Sequence, residues 1–538
     1  MRAVAGAFLV YLAASVGLFG RDVLVHPSTR VVGDDGADKT LYMWSFEWWP
    51  WTIRHGRNPL HVDVAWVPHG FDFGLGTGGG GLGLAAAPLT ALIGHVATYN
   101  VLILLAPALA ASTAFVLAEH LTGRFWPSLA GGYVYGFSSY ELARLLGHLP
   151  LAFVALVPLV PYVVVRRYTG DLGRSRFVAA LAALLVAQFL ILPQIVFSLV
   201  VLGGVAAGAG AVVFGRSAVW PTLLESTVAG LAALVVLAPV LVYAVVSDAA
   251  APARSPFFES VDLLGYVVPT GRTWLAPPGA SSIAERFTAS PVEQGAYLGL
   301  PLLALVALAA LRRPLSRPRV LLLAMFLSAV VLSLGTRVRV AGEVLVPAPW
   351  TLVARVPVVG SALPARLTLY AALFAGLLVA LALSDRRSTV RWLLVLAGVA
   401  ATLPNLHLDR WSSDVPRPAF FERGGDERHL PSGSTALVLP YGPAGWSMLW
   451  QAETSFRFRM VGGHFGLRVT PSEDRWRDVY EGLGLGTVAA PRLRRFLATH
   501  DVDVVVVTPG TRGRARRMVE AAVGAPPVRT LDALVYRL

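Results

Sequence analysis

A succession of long apolar runs, broken by short arginine clusters, constrains this chain more than any other feature of its sequence. A helix needs about 20 apolar residues to cross roughly 30 Å of hydrocarbon. Candidates fall at 3–20, 97–119, 126–139, 150–165, 176–191, 195–213, 221–246, 296–311, 320–335, 367–384 and 391–407. The expectation is an α-helical polytopic membrane protein of about eleven spans. With a cytoplasmic N-terminus, the cytoplasmic turns hold Arg124; Arg166, Arg167, Arg174 and Arg176; Arg216; Arg312, Arg313, Arg317 and Arg319; and Arg386, Arg387 and Arg391. Every short cytoplasmic turn is then basic, as the positive-inside rule requires. The net charge of +13 therefore reads as topology and not as a nucleic-acid footprint. Of 538 residues, 55% are hydrophobic and 14% charged, outside the range of soluble domains. The absence of cysteine excludes a disulfide framework, a thiolate metal site and a thiolate nucleophile.

The run 3–20 follows Arg2 and lacks a small-residue cleavage site, so it reads as a retained span. Leu82–Val96 is apolar but short and contains Pro88. Counting it as a span would put the arginine-rich turns outside, so a re-entrant or surface helix is expected there. The extracytoplasmic parts are then loop 21–96, a small loop near 140–149, loop 247–295, loop 336–366 and the tail. In the tail, "TALVLPYG" and "DVDVVVVTPG" read as buried strands, and Arg492–His500 and Arg514–Val523 as helices. The expected division is a transmembrane part, 1–407, and an extracytoplasmic α/β domain, 408–538.

Chemistry concentrates in the first loop, at "GDDGADKTLYMWSFEWWPWTIRHGRNPL", which holds the one lysine, Lys39. Leu41, Trp44, Trp48 and Trp51 recur at helical spacing, and Pro50 should bend the helix. Such a helix suits the outer membrane surface, with Asp38 at its start. Asp38 is then either an N-cap or a general base toward a hydroxyl whose co-substrate is lipid-anchored. His55 and Arg57 follow in a tight turn and either contact headgroups or bind substrate. Tyr140, Glu141, Arg144 and His148 are placed at the outer mouth between two spans, with Glu141 and Arg144 spaced to pair on a helix. Arg366 opens an apolar span, where a guanidinium either snorkels or meets an anion such as a lipid phosphate. Glu293, at the outer end of another span, would order loop 247–295 or bind a sugar hydroxyl. Trp274 and Trp446 would stack on sugars or simply pack.

No H-E-x-x-H, P-loop, G-x-S-x-G or dinucleotide fingerprint occurs. The blocks "ADKTLYMWSFEWWPWTIRHGRNPL", "GGYVYGFSSYELARLLGHLPLAFVALVPL", "SPVEQGAYLGLPLL" and "LPARLTLYAAL" resemble, in order, those of a bacterial family of multi-spanning proteins. That family in turn resembles the GT-C glycosyltransferases, which use polyprenyl-phosphate sugars. The resemblance implies a GT-C-like fold with a catalytic acid in the first extracytoplasmic loop, a role that falls by block position on Asp38, with Asp35 second. Lys39 stands where the family commonly has proline, and Gln194 where it often has an acid.

The expected function is inverting transfer of a sugar from a polyprenyl-phosphate donor to an envelope acceptor on the outer leaflet. The acceptor is a glycan, a lipid or a protein, and membrane lipids are the remaining partners, with no nucleic acid. Asp38 and Asp35 are the catalytic candidates; Arg366, His55, His148, Arg144 and Glu293 are the substrate-binding ones. No metal ligands are assigned, and a requirement for a divalent cation is left open. The protein would sit in the inner (plasma) membrane with its N-terminus cytoplasmic and its C-terminal domain outside. The alternatives are a lipid or glycan flippase, and a noncatalytic envelope scaffold.

Overall fold

The computed structural model describes residues 2–538 except 35, 37, 74–79, 248–256, 258, 357–361, 386–387, 408–410, 443–444, 465–468 and 470. Asp35, Arg386 and Arg387 thus lie outside the described residues. The chain is mostly helical and divides into two compact units. One comprises Met1–Arg21, Leu102–Ala238 and Pro252–Trp411; the other comprises Asp22–Val101, Pro239–Ala251 and Ser412–Leu538.

In the first unit each apolar run is helical over most of its length. The run 150–165 is split into Leu149–Ala152 and Leu159–Tyr168, because Pro150 and Pro158 confine helix starts to those points. Among the described residues, six stretches are long and apolar enough to cross a membrane: Arg2–Phe19, His95–Thr122, Arg174–Ile191, Pro193–Phe214, Arg216–Val246 and Pro364–Asp385. Gly80–Ile93, Leu300–Leu311 and Thr389–Thr402 are apolar but shorter. The chain is a multi-pass membrane protein. Arg216–Val246 leaves Leu231, Leu234, Val235, Val242 and Val245 exposed, as a lipid-facing helix does. Pro364–Asp385 is the opposite, 89% buried, so its neighbours are other helices.

Close approach at that central helix depends on glycine. A Cβ on Gly131, in the helix Phe125–Gly136, would stand 2.7 Å from the Gly376 carbonyl oxygen, and a Cβ on Gly376 would collide with the Gly131 oxygen in return. The two backbones touch, as small residues permit where helices cannot gain from hydrophobic burial. On the same helix, Gly132 faces the Ala111 carbonyl and the Tyr11 ring, whose hydroxyl donates to the Leu129 carbonyl at 2.7 Å.

The second unit is built on a five-stranded sheet with spatial order Val528–Thr530, Ala533–Arg537, Val504–Val507, Thr435–Leu439, Arg459–Met460. The three strands Arg459–Met460, Thr435–Leu439 and Val504–Val507 are parallel, and the pairings of Ala533–Arg537 with Val504–Val507 and with Val528–Thr530 are antiparallel. Thr435–Leu439 and Val504–Val507 are buried along their length, which accounts for their continuous apolar runs. Helices Ala490–Thr499 and Gly513–Val523 lie where the sequence reading put them. The first-loop segment joins the same unit: Arg30–Val32 pairs antiparallel with Ser412–Asp414, and Met460 N donates to the Val64 carbonyl at 2.8 Å.

The tryptophan helix spans Asp38–Arg54. Trp44 and Trp48 stack at 4.9 Å and Trp48 and Trp51 at 5.7 Å, with Phe456 edge-on to all three at 5.0–5.5 Å. Trp44 Nε1 donates to Gln451 Oε1 at 2.8 Å, and the Gln451 amide donates in turn to the carbonyls of Val64 and Phe458. Trp44 and Trp48 are fully buried by protein. This departs from the expectation of a headgroup-facing stripe: the indole N–H of Trp44 and the ring faces find partners in the chain, so they need none in lipid.

Candidate functional site

The candidate residues fall into two clusters, one in each unit. In the unit that holds the sheet, Asp38 is the first residue of the tryptophan helix, where the backbone dipole favours a carboxylate. Its Oδ1 lies 2.7 Å from His464 Nε2, and roughly a third of the Asp38 side chain is exposed. With the aspartate ionised, the imidazole N–H is the donor. His464 arrives from the edge strand Arg459–Met460 through Gly462, whose φ of 82° suits glycine and whose position leaves no room for a Cβ beside the Tyr441 ring. The His464 backbone N–H donates to Met448 Sδ at 3.1 Å, which fixes the residue against the helix Ser447–Glu453. Sequence reasoning missed His464. Its one signal in the sequence is a lone histidine framed by glycines in "GGHFG".

Lys39 is fully buried, its ammonium donating to Ser413 Oγ at 3.1 Å and lying 5.9 Å from the Trp446 ring centroid. Trp446 is therefore packed inside the protein, whereas Trp274 is exposed. His55 follows the end of the tryptophan helix, with its Nδ1 2.8 Å from the Trp51 carbonyl. Arg57 pairs with Asp63 at 2.6 Å and lies over the Trp51 ring at 5.1 Å. His55 and Arg57 are thus held by the turn itself.

The other cluster is ionic and buried. Arg144 ends the short helix Ser139–Arg144, Glu293 ends the 3-10 turn Pro291–Glu293, and Arg366 lies in the 3-10 turn Pro364–Leu367. Arg144 donates to Glu293 Oε2 at 2.5 Å, and Arg366 donates through Nε and an Nη to Glu293 Oε1 at 3.1 and 3.0 Å. Gly295 makes the approach possible, since a Cβ there would meet Tyr140 Cα at 2.8 Å. Burial alone would raise the Glu293 carboxyl, but the two guanidiniums outweigh it and hold the group well below the usual carboxylate range.

One expectation changes here. Arg144 turns to Glu293, which it shares with Arg366, and does not take Glu141, three residues back, although both carboxyl groups are buried. The anion that Arg366 meets within the chain is Glu293. Both oxygens of Glu293 are engaged, which fits an ordering role in its loop. His148 stands just before the helix Leu149–Ala152, at the end of the same polar segment. Among the described residues, no group of three or more His, Cys, Asp or Glu is placed to hold a metal ion.

The fold of this chain is similar to that of GT-C glycosyltransferases of solved structure. Among solved structures it is similar to the arabinofuranosyltransferase AftD from mycobacteria, at 16% identity and a TM-score of 0.55, covering 100% of this chain and 41% of AftD. It is likewise similar to the Archaeoglobus fulgidus oligosaccharyltransferase, at 10% identity and a TM-score of 0.54, covering 96% of this chain and 71% of that one. The third is ArnT from Cupriavidus metallidurans bound to undecaprenyl phosphate, at 12% identity and a TM-score of 0.53, covering 99% of this chain and 96% of ArnT. The chain therefore spans about two fifths of AftD and nearly the whole of ArnT. No protein-family profile and no curated protein sequence matches it.

Proposed function

We propose that this protein is a membrane glycosyltransferase that moves a sugar from a polyprenyl-phosphate donor to a hydroxyl of an envelope acceptor, with inversion at the anomeric carbon. The observation that carries the reading is the Asp38–His464 contact at the start of the tryptophan helix in a chain of GT-C-like fold. Asp38 removes the hydroxyl proton as the acceptor oxygen attacks the anomeric carbon. The bond from that carbon to the phosphate oxygen breaks, and its electron pair leaves with the polyprenyl phosphate. His464 donates to Asp38 Oδ1 and so holds the carboxylate in one orientation. Arg366 holds the donor phosphate: its Nε edge is occupied by Glu293, but Glu293 keeps Arg144 as a counter-ion if Arg366 turns away. The chain crosses the inner membrane about eleven times, with the N-terminus cytoplasmic and residues 408–538 outside, so that Asp38 meets the outer leaflet.

The undecaprenyl phosphate bound by ArnT supports the choice of donor class. The test is incubation of the purified full chain with labelled polyprenyl-phosphate sugars. Sugar transfer or donor hydrolysis supports the enzyme. Movement of the lipid across a vesicle bilayer without either reaction establishes a flippase instead.

A further inference from the structure

Glu141 is fully buried, and neither of its carboxyl oxygens has a hydrogen-bond partner among the described residues. One turn along the same helix, Arg144 keeps Nε and one Nη without partners, also fully buried. A carboxylate and a guanidinium at this spacing ordinarily pair. Here the contact is left unmade while Arg144 serves Glu293, and an orphaned buried polar group calls for an explanation. The charge count supplies one. With Arg144, Arg366 and Glu293 ionised, the cluster carries one excess positive charge when Glu141 is neutral and none when it is not.

We propose that Glu141 is a positioning residue that works as a neutral carboxylic acid. Uncharged, it leaves the Arg144–Glu293–Arg366 cluster one positive charge for an anionic ligand at Arg366; on losing its proton it takes Arg144 as its own partner and cancels that charge. The inference rests on the reading that Arg366 holds the donor phosphate. The surroundings favour the neutral form. Burial raises the Glu141 carboxyl well above its usual range, against the opposing pull of Arg144. The ionisable groups that interact with it are Tyr135 from the helix Phe125–Gly136 and Tyr140 and Arg144 from its own helix; Tyr140 in turn faces Glu293 and Arg366, and the elements in contact with the helix Ser139–Arg144 carry Glu293 and Tyr370, with His148 at the next helix start. The phenols do not supply charge near neutral pH: Tyr135 and Tyr140 donate to the carbonyls of Val154 and Leu151, and Tyr370 donates to that of Ile195.

The test compares the full-length protein with Glu141→Gln, which copies the neutral acid in shape and cannot ionise. Two readouts are taken: the infrared carbonyl stretch of protonated carboxyl groups, and the affinity for undecaprenyl phosphate across a pH series. The phosphate titrates itself, with a second pKa of about 6, but identically for the two proteins, so the difference isolates Glu141. The expected result is loss of a protonated-carboxyl band in Glu141→Gln and affinity that weakens with alkalinity more steeply in the parent, approaching tenfold per pH unit above the Glu141 pKa. An unchanged infrared band, or matching alkaline weakening in the two proteins, overturns the proposal. If the parent binds no lipid at any pH, the donor reading fails and the charge-supply role with it, while the infrared band separately decides whether Glu141 carries a proton.

Discussion

Asp38 and Arg366 were legible as charges in the sequence, but their partners were not. His464 lies 426 residues beyond Asp38, and Glu293 lies 73 residues before Arg366. Periodicity reports which face of a helix is apolar and says nothing about contacts across such separations. For Asp38→Asn, which preserves hydrogen bonding and shape, turnover should fall by roughly 10²–10⁴-fold while donor binding and melting temperature hold. Retained activity would place the base elsewhere, with Asp35 the next to be changed. His464→Ala should lower kcat with little effect on KM, because it loosens the carboxylate without touching the donor. Arg366→Lys separates two roles for one guanidinium. A phosphate ligand loses its planar fork, and donor affinity drops by about 1–3 kcal/mol. A purely internal partner of Glu293 shows the loss in thermal stability alone. Glu293→Gln strands two buried cations and should cost about 3–5 kcal/mol. The pH signs of the two buried acids are opposite. The depressed Glu293 stabilises the fold fully above its unfolded value of about 4.3 and loses that contribution only as pH falls through its much lower folded value. The raised Glu141 binds a proton more tightly in the fold, so stability declines as pH rises above about 4.3 towards its folded value. Melting curves from about pH 5 to 8 should slope down less for Glu141→Gln than for the parent.

At the scale of elements, helix existence followed from run length and apolarity, and the buried strands Thr435–Leu439 and Val504–Val507 from their short continuous apolar runs. What failed was the destination of a face. The stripe of Trp44, Trp48 and Trp51 has the composition that an interface helix shares with a buried one, and only the distant Phe456 and the helix Ser447–Glu453 decide between them. Glycine spacing carried a signal that length and hydropathy do not use: Gly131 and Gly376 mark a crossing where backbones meet. Gly376→Ala forces a methyl group against the Gly131 carbonyl and should destabilise the protein by about 1–3 kcal/mol. The same change at Gly204, which has nothing within 4 Å, should be neutral or slightly stabilising. Thermal unfolding of the two variants in one detergent checks the contrast.

For the whole molecule, basic turns set the expected orientation, and a reporter fused after Leu538 tests it: one active only outside the cytoplasm should be active, and a cytoplasmic signal would reverse the parity. The unit boundaries were less visible than the spans, because the sheet-containing unit collects Asp22–Val101 from one end of the chain and Ser412–Leu538 from the other. Hydropathy sees the interruption but not which segments will meet. The buried helix Pro364–Asp385 has a further consequence for how the protein is made. It leaves the ribosome well after its partner, since Gly131 must receive Gly376, about 245 residues later. At roughly 5–20 residues per second, the helix Phe125–Gly136 waits between about ten seconds and a minute with its glycine face unfilled. Over that interval the nascent bundle is an open cradle in the bilayer, and a membrane insertase or lipid acyl chains must occupy the groove until the central helix arrives.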